Sequence, residues 1–269
     1  MAQWHQVCHA VSQLPFWAVL ADDPDAVFTW EDAILVVRWA GNSGLWIHGT
    51  PQGLLVRTAE EYLSLSPAGF RVVLDGEDRP YPGLLRNRDD LARRYKDFRR
   101  RVQRYPHPHG HLVDRLALRE PCVVGVDLEF GQERRKADLL LRHGNGLVSV
   151  WKVYLAEALV SPTARAALVQ GLEQLRALLS APQALAQCAD MAGRWARLPA
   201  RYAQRRLGGE VRSVHPEPIV LVVGEVRVPG DRMLPEILDS QGIQYVVVRD
   251  THCFGPRHWT WIGTGSRAA

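Results

Sequence analysis

Apolar residues along this chain recur with two different periods, and the changes from one to the other outline its elements. In DAILVVRWAGNSGLWIHGTPQGLLVRT three apolar runs are separated by GNSG and GTPQG, the punctuation of an antiparallel meander. TAEEYLSL then reads as a short helix capped by Thr58, GFRVVLDG as a further strand and GEDRPYPG as a turn-rich connector. Over residues 86–104, Leu91, Tyr95, Phe98 and Val102 share one stripe, which predicts an amphipathic helix. Three strands come next, PCVVGVDLEFG, RKADLLLRH and GLVSVWKVYLAE, the last two joined by the tight hairpin signal HGNG. TARAALVQGLEQLRALLS returns to the helical period through Ala167, Leu168, Leu172, Leu175 and Leu179, and beyond Pro182 one or two more helices continue. PEPIVLVVGEV and IQYVVVRD are continuous apolar runs, expected of strands covered on both faces, with a short helix ending at Gly242 between them. HWTWIG reads as an edge strand.

At 269 residues and 46% hydrophobic content, the chain can bury one large or two modest cores. The reading is a small β-rich α+β N-terminal domain over 1–85 and a larger α/β domain over 86–269. No apolar run approaches the ~20 residues of a membrane-spanning helix. The N-terminus lacks the basic opening of a signal peptide, and four scattered cysteines form no CxxC pair. A cytoplasmic protein with reduced thiols and no membrane association is therefore expected. The GxxxxGK[ST], GxGxxG and GxSxG patterns are all missing, which argues against phosphate-loop, dinucleotide and serine-hydrolase chemistry.

Charge changes the picture more by position than by total. The net value is only +4, but residues 86–104 hold nine basic residues against three aspartates. Such a helix is either a solvated face or a surface for a DNA or RNA backbone, with Arg93, Arg94, Lys96, Arg100 and Arg101 as contacts. A second arginine-rich stretch, Arg194 to Arg206, adds Arg201 and Arg205. PHPHGHL, with His107, His109 and His111, reads as an irregular loop, and HCFGPRH likewise, neither with the partners of a metal site. Trp30, Trp39 and Trp46 read as core, with a partner surface as the alternative that periodicity does not separate from it.

Arginine so dominates the basic residues that only three lysines remain, Lys96, Lys136 and Lys152. A lysine held inside VSVWKVYL offers a compact ammonium that a guanidinium cannot replace. Asp138 opens the preceding strand. One strand of a hairpin can bring an aspartate and the next a lysine, as metal-assisted phosphodiester hydrolysis requires.

ADLLLRHGNGLVSVWKVY, followed by the helix carrying Gln170 and Gln174, resembles the core of the PD-(D/E)XK nuclease superfamily. The resemblance covers residues 120–250 and implies a restriction-endonuclease-like αβββαβ core with a mixed sheet. It matches Asp138 to the family aspartate and Lys152 to the family lysine. It also implies a Mg²⁺ (or Mn²⁺) cofactor and a helix glutamine at Gln170. The family acid two residues before the lysine is replaced by Val150. A relocated acid would then come from Glu129, with Glu120 as second choice upstream, or from Glu157 or Glu173. Asp138 and Glu129 are the expected metal pair. Two functions are compatible with this: a metal-dependent endonuclease of a defence, restriction or mobile-element system, or an inactive nuclease-fold subunit that binds nucleic acid or a partner protein in a larger complex.

Overall fold

The computed structural model describes residues 3–14, 16–50, 53–58, 62, 88–131, 135–198, 210–224, 233–240 and 242–259. The expected strand GFRVVLDG, the connector GEDRPYPG and most of TAEEYLSL lie outside them, as do Arg201 and Arg205. The chain is mixed α and β and divides into two compact units, residues 1–114 with 194–204 and residues 115–193 with 205–269.

The first unit contains helices α1 (Gln3–Ala10) and α2 (Trp17–Ala21), then strands β1 (Val27–Glu31), β2 (Ile34–Trp39), β3 (Asn42–Thr50) and β4 (Gly53–Arg57). β2, β3 and β4 form the expected antiparallel meander, and β1, which the sequence pattern does not single out, extends it in the order β1-β2-β3-β4. Helix α3 (Arg88–Val102) belongs to this unit, so the boundary read at 85 moves to Asp114. Its apolar stripe explains why: Tyr95, Phe98 and Val102 are buried, and the Trp39 ring meets Tyr95 and Phe98 edge-on at 6.1 and 5.8 Å. Trp39 is fully core, whereas Trp30 and Trp46 are only partly covered.

The β2–β3 turn anchors the start of the next helix. Trp39 pairs with Asn42, so the loop is Ala40-Gly41, both with positive φ (51° and 84°), the geometry of a two-residue hairpin. Gly41 is required there twice over, because a Cβ would stand 2.3 Å from the His111 amide nitrogen. The segment PHPHGH is not a loop. Helix α4 (Pro108–Arg119) begins within it, because Pro108 suits a first helical turn and His107 Nδ1 accepts the Gly110 amide at 3.1 Å as a cap. Buried Asp114 accepts the Gly41 amide at 2.7 Å and pairs with buried Arg38 at 3.2 Å, which ties α4 to the turn.

Among the described residues, the second unit is built on a six-stranded mixed sheet. Strands β5 (Val123–Phe130), β6 (Arg135–Arg142) and β7 (Leu147–Leu155) form an antiparallel meander. Helices α5 (Pro162–Leu179) and α6 (Ala184–Ala196) come after it, then β8 (Ser213–Val214), β9 (Ile219–Val223), α7 (Met233–Ser240) and β10 (Gln244–Val248). The path runs β10-β9-β7-β6-β5, with β9 parallel to both β7 and β10, and with β8 beside β7. On α5 the buried row Leu168, Leu172, Leu175 and Leu179 serves two clusters. Leu168 and Leu172 pack with Val220, Val222 and Leu238, while Leu175 and Leu179 pack with Leu140, Val148, Val150 and Cys188.

Two strand expectations are corrected here. β9 is buried throughout, but β10 is only half covered and Val247 is 46% exposed; among the described residues β10 lies at the end of the strand path, paired with β9. HWTWIG begins in a short helix, α8 (Pro256–Trp259), and its remainder lies outside the described residues.

Candidate active site

The hairpin brings the aspartate and the lysine together. β6 and β7 pair from Arg142↔Val148 to Leu139↔Trp151, which sets Asp138 across from Lys152 at the end of the paired stretch. There the Asp138 carboxylate takes over from the backbone ladder. Its Oδ2 accepts the Val153 amide at 2.7 Å and its Oδ1 accepts the Lys152 ammonium at 3.2 Å. Asp138 is 5% and Lys152 19% exposed at the side chain, so the pair is sheltered but reachable from one side. The Tyr154 ring lies 5.8 Å from Lys152 Nζ. Burial first, and the Asp138 charge second, push its phenol far above the ordinary range, so it stays a neutral hydroxyl.

Val150 shares the face of β7 with Lys152 by strand alternation, and it is completely buried among Leu140, Val148, Leu175 and Leu179. The usual acid position is therefore apolar core. Among the replacements expected from the sequence, Glu129 stands across from Lys136 and pairs with it at 3.8 Å, an ion pair open to solvent. Glu120 is buried at the end of α4, 3.7 Å from Arg119. Glu157 is exposed in the 3-10 turn after β7, and Gln170 and Glu173 lie on the exposed side of α5, away from its buried row.

The structure adds a carboxylate that the sequence pattern does not single out. Val126 pairs with Leu139 and Leu128 with Ala137, so Asp127 holds the β5 position directly across from Asp138. Its φ of 50° places a non-glycine residue in the left-handed region inside a strand. The polar positions in VVGVDLEF are visible in the chain, but only the register decides which one stands opposite Asp138 in the ladder.

No family model matches this chain, and neither curated proteins nor solved structures yield a match. The chemistry is thus read from the residues themselves. Among the described residues no group of three or more His, Cys, Asp or Glu side chains converges as a metal cage. Mg²⁺ does not require one, since it is commonly held by one or two carboxylates, with waters and substrate phosphates filling the rest. Asp138, and Asp127 at the β5 position across from it, are carboxylates of that kind.

The basic residues separate into two kinds. Lys96 and Arg100 are exposed, Arg101 donates to the Tyr62 carbonyl at 3.2 Å, and Arg93 and Arg94 lie within α3. Arg194 and Arg197, which open the second arginine-rich stretch, are engaged with neighbours in the first unit. Their guanidiniums cover the Trp4 ring at 5.5 and 5.2 Å, Arg194 donates to the Asp32 carbonyl, and Arg197 meets His5 Nδ1 at 2.7 Å.

Beneath the hairpin lies a buried polar set. Ser149 Oγ accepts the Trp151 indole N–H at 2.8 Å and bonds His143 Nε2 at 2.7 Å. Burial first, and the nearby His215 charge second, hold the His143 imidazole down at about 4. The folded value is thus depressed relative to an unfolded imidazole near ~6.5. The resulting stabilisation is full above pH ~6.5, falls as the pH drops toward 4, and is absent below it, a range worth ~3 kcal/mol at most. Urea unfolding between pH 7.5 and 4 is expected to show this loss, and His143→Gln to flatten it. Equal slopes in both proteins would remove His143 from the account.

Proposed function

We propose that the second unit is a metal-dependent phosphodiesterase domain of restriction-endonuclease-like fold, acting on nucleic acid. One observation carries the reading: the sheltered Asp138–Lys152 pair, set by the second and third strands of a β5-β6-β7 meander that α4 precedes and α5 follows. That order agrees with the αβββαβ core the resemblance implies. The mixed direction of the sheet supports it further. Asp127 and Asp138 are the residues that would hold Mg²⁺ or Mn²⁺, in place of the Glu129 pairing expected from sequence. When bound, the metal supplies Lewis acidity and charge neutralisation at the phosphate. Lys152, its ammonium fixed by Asp138, faces a non-bridging oxygen and stabilises the charge that develops there. Asp138 thereby has two tasks, orientation of the ammonium and metal binding.

The test is cleavage of labelled single- and double-stranded DNA and RNA in Mg²⁺ or Mn²⁺, with EDTA as control. Asp127→Asn is expected to lower the rate by a factor of ~100 or more, the usual scale for one electrostatic group in the site. A wild-type rate matched by the variant would return the search to Glu129, Glu157 and Glu173.

A second reading has its own support in the burial of Val150. An acid slot absorbed into the core is what a retired nuclease fold would leave, with nucleic-acid or partner-protein binding as the remaining function. Binding that is strongly salt-dependent, with no cleavage under any metal, favours this alternative.

A further inference from the structure

We propose that the end of α3 and the residues just after it form a binding face for single-stranded nucleic acid, with Tyr105 stacking an unpaired base and Lys96, Arg100 and Arg104 contacting phosphates. Tyr105 is 74% exposed, the most exposed large hydrophobic side chain among the described residues. Isolated apolar side chains on a surface need no explanation, but this one is held in place. The Asn42 side-chain amide donates to the carbonyls of both Val102 and Tyr105 at 2.9 Å, and the His107 amide donates to the Ala40 carbonyl at 3.2 Å. The β2–β3 turn thus fixes the backbone on either side of an open ring. A platform ordered before binding loses little entropy when a base stacks on it.

The charge around the ring has a matching order. Lys96, Arg100 and Arg104 recur at every fourth position and are all exposed, so they form a row along one side of α3 that runs into its terminal turn. Lys96 and Arg100, both within the helix, are ~6 Å apart along its axis. The Arg104 guanidinium already lies 5.3 Å from the Tyr105 ring centre, which places a cation at the ring itself. Among the described residues, the acid that contacts this row is Asp97, paired with Arg100 at 3.4 Å while both side chains are more than 60% exposed. Such a pair is worth well under ~1 kcal/mol and yields readily to a phosphate. Open aromatic rings interleaved with cations are how proteins hold unpaired strands, because every base offers a face and every nucleotide a phosphate. All of these residues lie in the first unit, so the inference does not depend on the nuclease reading.

The experiment is fluorescence anisotropy of the full chain with labelled oligo(dT), oligo(rU) and a blunt DNA duplex, at low salt in EDTA so that no cleavage intervenes. Tyr105→Ala is expected to weaken single-strand binding by ~10-fold, within the range for one stacked base, and to leave duplex binding unchanged. Tyr105→Trp should restore it, and Lys96→Ala with Arg104→Ala should flatten the salt dependence. Loss with only one of the two oligonucleotides also supports the proposal and identifies the strand as DNA or RNA. Three results would overturn it: no single-strand binding by the wild type, unchanged binding by Tyr105→Ala, or an equal loss on duplex. Because Tyr105 lies outside the core, unaltered circular dichroism of the variants should accompany every arm.

Discussion

Asparagine at position 138 is expected to abolish metal-dependent cleavage and, at the same time, to lower the stability of the second unit. The substitution keeps the shape of the side chain and an acceptor for the Val153 amide, now held at 2.7 Å. What it removes is the charge opposite Lys152, at 3.2 Å and largely out of water. Breaking one side of a buried pair costs ~3–5 kcal/mol, but the 19% exposure of Lys152 admits solvent, so ~1–3 kcal/mol is the expected loss. The catalytic loss should be larger, at least ~100-fold, because metal binding and ammonium orientation fail together. Initial rates and urea unfolding, measured on the same preparations, separate the two effects. Lys152→Met is the companion, and the double variant should show ~1–3 kcal/mol of coupling between the positions. If Asp138→Asn cleaves at the wild-type rate while losing stability, the pair is a sheet-end clamp and the catalytic assignment fails.

The β2–β4 part of the first meander, the HGNG hairpin, the amphipathic helices α3 and α5 and the β9 strand are legible in the sequence, since each rests on local periodicity or turn chemistry. Asp138 and Lys152 are legible for the same reason: a two-strand hairpin has few ways to pair. Three things are not. The half-covered state of β10 depends on its place in the strand order, which an apolar run such as IQYVVV does not reveal. The place of Asp127 opposite Asp138 depends on register across β5 and β6, and a one-residue slip would exchange it for a neighbour. The assignment of α3 to the first unit depends on what its apolar stripe covers, and periodicity alone indicates that a stripe is buried, never against which partner. The arginines teach the same lesson. Counted along the chain, Arg99, Arg194 and Arg197 look like surface charge, whereas each is engaged within the first unit.

Arg99 leads to the largest stability effect expected in this protein. Asp23, 4% exposed, receives four donors: the Trp39 indole N–H at 2.9 Å, the Tyr95 hydroxyl at 2.7 Å, Arg99 at 2.7 Å and the Asp25 amide at 3.0 Å. This one carboxylate joins the α2–β1 connection, β2 and α3. Burial by itself would raise its proton affinity, but the hydrogen bonds and the Arg99 charge prevail and hold it below the usual carboxylate range. Asp23→Ala would leave the buried Trp39 and Tyr95 donors without this acceptor, and the expected cost is ~3–5 kcal/mol, a large part of the ~5–15 kcal/mol available to a folded domain. Asp25→Ala, at a carboxylate 49% exposed that also pairs with Arg99, should cost under ~1 kcal/mol and serves as the control. The pH dependence has a fixed sign. With a depressed folded value, the contribution of Asp23 is complete above the unfolded value of ~3.9 and disappears as the pH falls through the folded one. Thermal unfolding should therefore show Asp23→Ala far below wild type at pH 7, with the gap narrowing in acid. A constant gap across that range would mean that packing, rather than the charge of Asp23, supports the first unit.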